Sequence, residues 1–355
     1  MKNNFTEKKL EPIEVNKKTV SELLSSMAKT GFQGKSLGRV VDVWEEMAKD
    51  KDLTIVMGYS GSLSTTGQWT IVKWLMEHRY IDVLVSTGAN ISEDIVPAMG
   101  FNYYQGTPNT DDTELFKNDI NRYYDVYGKE QDYIKMTELI ADFIVTLDEN
   151  NLYTSREFLF LFGKWLTKKG IHSIVAAAAE NGVPIFCPAI IDSPYGDAAL
   201  IAKARGFDLK LDSIKEYAEF MSMSEHFKDV GVIYIGGGVP KDVIQLLAVT
   251  ADLMYKDRKV PNRPGKRMRS GATNENYYPH KFAIQITTDS PQWGGLSGCT
   301  FEEATSWGKE VKEGKNVVCY VDATIALPLI SHALNERIGN RRKHATDFSW
   351  MFDKN

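Results

Sequence analysis

Six short apolar runs rich in β-branched residues recur along the chain: Leu53–Met57, Ile81–Val85, Val183–Phe186, Val232–Ile235, Phe282–Thr287 and Val317–Val321. Several are almost wholly apolar rather than alternating, the pattern of strands covered on both faces of a parallel sheet. Between them lie stretches with helical periodicity, among them Trp69–His78, Glu138–Leu147 and Val243–Tyr255. Alternating β and α elements predict an α/β fold with a doubly wound, mostly parallel, Rossmann-like sheet. Ligands of such sheets bind beyond the carboxyl ends of the strands.

The first twenty residues are polar and charged and read as an arm or frayed lead-in. Val20 to Asp50 reads as helix, with a break over Lys29–Gly38, where three glycines fall. Asp111 to Lys168 reads as a long, mostly helical middle rich in Tyr and Phe. This gives an arm and helical segment over 1–50 and a single α/β catalytic domain over 51–355. Neither an internal repeat nor a low-complexity tract is evident.

Composition narrows the function classes. A chain that is 43% hydrophobic and 25% charged is that of an ordinary soluble globular protein. No apolar run approaches the roughly 18 residues of a membrane span, and the start, MKNNFTEKKLEPIEVNKK, has no apolar core of a signal peptide. Cys187, Cys299 and Cys319 lie far apart without a CxxC, as expected of buried free thiols in a reducing cytoplasm. Six histidines without ligand spacing predict no metal. A net charge of −5 argues against non-specific nucleic-acid binding. The one concentrated basic run, Lys256–Arg269, reads either as a site for an anionic partner or as a solvated Pro- and Gly-containing loop. The whole loop Lys256–Pro279 is expected near an active-site rim or a subunit interface.

Candidate chemistry follows the strand ends. After the first run comes Gly58-Tyr59-Ser60-Gly61-Ser62-Leu63-Ser64-Thr65, leading towards a helix. Small residues there let backbone N–H groups approach a pyrophosphate at the positive end of that helix; a plain Ser/Thr helix cap is the alternative. Gly236-Gly237-Gly238 ends another strand and permits positive φ or close approach of a ligand. Lys309 stands in EEATSWGKE after a Gly-rich loop. A lysine beside a tryptophan at a turn can be partly desolvated, which favours the neutral, nucleophilic amine; a surface lysine is the plain alternative. Glu303 and Trp307, at i and i+4, share a helix face. Thr300-Phe301-Glu302-Glu303 is also a capping-box pattern, so Glu303 has a structural role open to it.

Six segments in order, GYSGSLSTTG, IDVLVSTGANISED, CPAIIDSPYGD, IYIGGGVPK, ATSWGK and YVDATIALPLI, resemble the deoxyhypusine synthase family over most of the chain. The resemblance implies NAD as cofactor, contacted by Gly61, Ser62, Leu63, Ser64, Thr65, Thr87, Gly88, Ala89, Glu93, Asp192, Thr288, Asp289, Asp322 and Ala323. It implies Lys309 as the imine-forming lysine. A polyamine would be met by Glu93, Asp197, Gly237, Asp242, Gly294, Gly295, Leu296, Glu303 and Trp307. The implied reaction moves an aminobutyl group from a spermidine-like donor to an acceptor amine. That acceptor is a translation-factor lysine or, alternatively, a free diamine such as putrescine. A cytoplasmic homotetramer with sites at dimer interfaces is implied too. Three positions depart from the eukaryotic pattern: Asp242 replaces a histidine, Leu296 an aspartate and Ser92 an acidic residue. Asp289 adds a carboxylate where the family has a small apolar residue. The altered carboxylate map predicts an altered amine preference and a divergent, non-eukaryotic member.

Overall fold

The computed structural model describes residues 6–226, 228–250 and 280–352. Loop 256–279, with its basic run, and the last five residues of the expected helix 243–255 lie outside the described residues.

The chain opens with helices α1 (Val20–Met27) and α2 (Phe32–Lys49). Thr19 and Glu22 close α1 with a reciprocal capping box. The expected break shrinks to the few residues between them, and Gly34 and Gly38 lie inside α2. A Cβ at Gly38 would collide with the backbone of Leu24 and Ala28, so this glycine serves close helix–helix packing rather than a turn. Along α2, Val40, Val41, Trp44 and Met47 are fully buried, a helical stripe facing the core.

All six expected strands form. They are β1 (Leu53–Tyr59), β2 (Val83–Ser86), β6 (Ile185–Phe186), β7 (Asp229–Ile235), β8 (His280–Thr287) and β9 (Glu310–Tyr320). They build one parallel sheet in the order β6-β2-β1-β7-β8-β9. Helices cover both faces. One cluster takes Ile55, Met57, Ile233 and Ile284 against residues of α2, α3 (Trp69–Glu77) and α13 (Ala323–Arg337). The other takes Val56, Val232 and Tyr234 against α10 (Ser213–Ser222), α11 (Gly238–Thr250) and α12 (Phe301–Ser306). The alternation of inward residues along β1 and β7 thus feeds two cores. A buried ion-pair network, Arg342 to Asp82 at 2.6 Å and Arg79 to Asp82 at 3.2 Å, fastens the chain end beneath the sheet.

The middle of the chain departs from its expected helical reading. Short α4 (Ile95–Ala98) and α5 (Asp112–Lys117) flank a three-stranded antiparallel sheet of β3 (Tyr104–Gln105), β4 (Ile120–Tyr123) and β5 (Val126–Lys129), in the order β3-β5-β4. Aromatic residues favour strands, and Tyr124 adopts φ 59 to make the tight β4–β5 turn. Helix then resumes in α6 (Glu130–Ile144), α7 (Ser155–Lys168), α8 (Ile174–Asn181) and, after β6, α9 (Pro194–Ala204).

Candidate active site

Strand order fixes where a ligand can enter. From β1 the chain steps to β2 and β6 on one side, while β7, β8 and β9 follow on the other. The order therefore reverses between β1 and β7, and such a switch point opens a crevice outside the carboxyl ends. The two ends meet there through a short hydrogen bond from Ser60 Oγ to the Gly237 carbonyl.

The loop after β1 does not run straight into α3. Leu63–Thr66 forms a single tight turn, Gly67 takes φ 84, and α3 begins at Trp69. Asn90 holds this loop: Leu63 N–H donates to Asn90 Oδ1 at 2.7 Å, and Ser64 Oγ donates to the Asn90 carbonyl at 2.5 Å. Ser64 and Thr65 are buried, whereas Gly61 is exposed and Ser62 half-buried. Thr87 Oγ1 donates to the Gly61 carbonyl at 2.8 Å. Gly88 packs so closely on Ser193, next to Asp192, that a Cβ would clash. The turns after β1, β2 and β6 thus form one ledge.

Glu93 lies under this ledge, only 5% exposed. Ser62 Oγ donates to its Oε2 at 2.6 Å, and Tyr103 Oη donates to its carbonyl at 3.1 Å. Burial pushes the Glu93 carboxyl up to about 7. Asp94, fully buried, accepts the Ile174 N–H at 2.5 Å and is likewise raised to about 7 by burial. Asp197, in the first turn of α9, accepts from Tyr133 Oη at 3.3 Å. Asp322 caps α13 by accepting from Thr324 N–H at 2.7 Å, with Ala323 as the first helical residue. Asp322 and residues of the loop Ser62–Trp69 line a cleft of about 930 Å³.

Lys309 belongs to a second group, on the α11–α12 side of the sheet. Gly308, at φ 84, turns the chain out of α12 and into β9. The Lys309 side chain is 11% exposed, and its Nζ lies 3.6 Å from Asp242 Oδ1, 3.4 Å from Gln245 Oε1 and 5.6 Å from the Trp307 ring centre. Trp307 is half exposed. Thr300 Oγ1 accepts the Glu303 N–H at 3.1 Å, but the reciprocal half of the capping box is not made, and Glu303 stays at the surface. The Nζ hydrogen bond and ion pair of Lys309 run to α11, which brings Lys309 together with Asp242 and Gln245 beside the Trp307 ring.

Two expectations about the connecting loops change. Gly237 is needed for close approach, but the backbone it meets is the chain's own Ser297. Asp289 does not stand free beside Thr288: Ser297 Oγ donates to its Oδ2 at 2.5 Å and Ser290 N–H to its Oδ1 at 2.9 Å. Those bonds hold its carboxyl below the usual range and engage both oxygens within the loop that also carries Gly294, Gly295 and Leu296. Cys299 is half-buried rather than buried, while Cys187 and Cys319 are buried, and burial pushes all three thiols up. Among the described residues no cluster of His, Cys, Asp or Glu is arranged for a metal ion, and no helix is long and apolar enough to cross a membrane.

Comparison with known proteins decides the family. The sequence profile of deoxyhypusine synthase matches residues 22–334. The chain is 42% identical over 350 residues to "probable deoxyhypusine synthase 2" of Methanosarcina mazei, covering 98% of this chain and 96% of that one. It is 33% identical over 357 residues to a deoxyhypusine synthase-like protein of Chlorobaculum tepidum, covering 99% and 96%. A crystal structure of a candidate deoxyhypusine synthase from Entamoeba histolytica superposes with a TM-score of 0.60 at 18% identity, covering 91% of this chain and 95% of the other, and shares the fold. The chain belongs to the deoxyhypusine synthase family.

Within that family the three departures have distinct settings. Asp242 is the ion partner of Lys309. Leu296 is half-buried in the loop under Asp289. Ser92 is fully buried and donates to the Gly88 carbonyl at 2.9 Å, inside the turn. Sequence reasoning missed Asn90, Gln245 and the buried Lys241, whose Nζ donates to Gln285 Oε1 at 2.9 Å and the Cys299 carbonyl at 2.6 Å. Asn90 and Lys241 fall within the matched segments, but nothing in their spacing marks them as buried.

Proposed function

We propose that this chain is a transferase that moves an aminobutyl group from a polyamine through an imine on Lys309, with NAD as its redox cofactor. The observation that carries this reading is the setting of Lys309. Its amine is almost enclosed, within reach of one carboxylate and one amide oxygen, beside a half-exposed tryptophan face.

The cleft beside the loop that follows β1 suits a dinucleotide. Its volume of about 930 Å³ is in the upper range of ligand sites, and Ser62, Thr65 and Asp322 border it. Gly61–Thr65, Thr87–Ala89, Glu93, Asp192, Thr288, Asp289, Asp322 and Ala323 would hold the cofactor. When bound, NAD supplies reversible hydride transfer at the carbon beside a donor nitrogen, turning C–N into C=N and back.

The residues of the chain do the rest. The Lys309 amine adds to the C=N carbon, the donor's leaving amine departs with a proton, and the aminobutyl fragment stays on Lys309 as an imine. An acceptor amine then adds to the same carbon and releases Lys309. Asp242, Asp197 and Glu303 offer charge to the ammonium groups, and Trp307 offers a π face.

The acceptor is a protein lysine, as the family name implies, or a free diamine; the Asp242–Lys309 pair supports a changed amine preference. The family resemblance supports a homotetramer built from two-fold dimers, with sites at the dimer interface. Borohydride added to protein with NAD and spermidine should fix an aminobutyl group on the Lys309 peptide. Absence of that adduct while both ligands bind refutes the covalent route. Product analysis with putrescine or an added acceptor protein separates the two acceptors, and light scattering reads the assembly.

A further inference from the structure

Lys309 sits between two irregular stretches of backbone. Gly308 before it takes φ 84, a left-handed turn. After it the ladder of β8 and β9 is broken: His280 pairs with Glu310 and Phe282 with Lys315, two residues apart on β8 but five apart on β9. The regular ladder therefore begins beyond Lys309 and does not reach it. His280 holds it instead. Its backbone N–H donates to the Lys309 carbonyl at 3.0 Å, and its ring Nδ1 lies 2.9 Å from Glu310 Oε1. One residue of β8 thus grips two consecutive residues at the start of β9, one by the main chain and one by the side chain.

The pair is wholly interior: the His280 side chain is 1% exposed and that of Glu310 fully buried. Glu310 Oε2 and His280 Nε2 have no hydrogen-bond partner among the described residues, so each side chain depends on the other. Burial pushes the Glu310 carboxyl up, while His280, Lys241 and Lys309 pull it down. Lys241 on α11 is fully buried as well, held by Gln285 Oε1 and the Cys299 carbonyl. A buried pair with half its polar atoms unmatched adds little to stability, because desolvation offsets the attraction. What such a pair does supply is a directional bond, and here that bond lies at the root of Lys309.

We propose that His280 and Glu310 are positioning residues for Lys309, a buried clamp that fixes the start of β9 so that the Lys309 amine stays beside Asp242, Gln245 and the Trp307 ring. The proposal deepens the transferase reading and rests on it for the reaction that the amine performs. Both residues act through Lys309. Asp242 and Gln245 meet the amine from α11, whereas the clamp holds the backbone from β8, so the head and the root of the side chain are fixed by different elements. With the root released, the amine keeps its chemistry but loses its orientation, and imine formation slows while ligand binding is unchanged.

The test combines two readouts on full-length protein. One is hydrogen exchange of the His280 and Lys309 amides without ligands; the other is the rate of borohydride-trapped Lys309 adduct with NAD and spermidine. His280→Leu and Glu310→Leu break the clamp, whereas His280→Asn keeps a donor near the position of Nδ1 and Glu310→Gln keeps an acceptor. The leucine variants should exchange both amides about tenfold faster, with the amides of Ile284 and Ile286 in the regular ladder unchanged. They should form the adduct about ten- to a hundredfold more slowly at unchanged KM for spermidine. The Asn and Gln variants should stay near wild type in both readouts. Should a single leucine variant fail to fold, the double variant His280→Leu with Glu310→Leu leaves neither partner unmatched and carries the same expectations. Unchanged exchange, wild-type adduct formation despite faster exchange, or equal losses in the conservative variants each overturns the proposal. Faster exchange in the leucine variants with conservative rescue, but no adduct in the wild type, would keep the clamp and refute the transferase reading instead.

Discussion

Asp242 Oδ1 lies 3.6 Å from Lys309 Nζ, joining the N-terminal half of α11 to the turn that follows α12. The carboxylate is 39% exposed and the lysine side chain 11%, so the pair spans the boundary between solvent and interior. At this position the eukaryotic pattern has an imidazole, and a fixed anion next to the reacting amine is a different electrostatic setting for the same nucleophile.

Exchanging Asp242→His together with Leu296→Asp should therefore move amine preference towards spermidine. A substrate ammonium near Leu296 lacks a charge-assisted hydrogen bond of about 1.5–3 kcal/mol, which corresponds to roughly one to two decades in affinity. Comparing kcat/KM for spermidine, putrescine and agmatine in the two proteins reads the effect. An unchanged ranking would mean that other carboxylates set the choice.

Lys309→Ala should retain NAD affinity and lose transfer. Lys309→Arg should fail equally, because a guanidinium stays protonated and forms no imine. Single-turnover product formation measures both, and near wild-type turnover by either variant would exclude an obligatory Lys309 adduct.

Glu93 gives the protein a pH signature. Burial raises its folded-state pKa from 4.5 to about 7, so the folded protein keeps a proton that the unfolded chain has released across that window. Stability consequently falls as pH rises from about 4.5 to about 7, and the loss is complete above it. At about 1.4 kcal/mol per pH unit the effect is about 3 kcal/mol. Glu93→Gln keeps an acceptor for Ser62 and should flatten part of the decline; buried Asp94, with the same direction of shift, sustains the remainder. Urea unfolding at pH 5 and pH 8 should show a smaller difference in the variant, and equal differences would mean that Glu93 is already charged when folded.

Gly237→Ala should cost about 1–3 kcal/mol through overpacking against Ser297 and should loosen the Leu296 loop. Gly31→Ala, with open space around its Cβ, should be close to neutral. Chemical denaturation of both variants checks the contrast; similar midpoints would show that the Ser297 loop yields freely.

The central sheet was readable because parallel strands buried on both faces appear as continuous apolar runs, and β1, β2, β6, β7 and β8 all begin or end close to theirs. The extension of β9 back to Glu310 was not, since its first half is polar and its pairing with β8 is irregular between His280 and Phe282. The small sheet was hidden for another reason. Its strands are two to four residues long, too short for a period of two to show against the helical patterns on either side. At the site, Lys309 and the strand-end glycines were legible as residues. What Gly237 packs against, what Asp289 binds and which atom faces Lys309 depend on contacts between distant segments, which spacing does not encode.

The reversal of strand order between β1 and β7 also governs when this protein can acquire its site. Leu53 pairs with Asp229 and Tyr59 with Ile235, so the crevice has no second wall until most of the chain has left the ribosome. Long-range pairing of this kind is slow to nucleate and leaves the edge of β1 without its neighbour in the meantime. Nascent fragments ending before β7 should neither hold a nucleotide nor resist aggregation, and ligand binding during synthesis can begin only once the second half of the sheet is available.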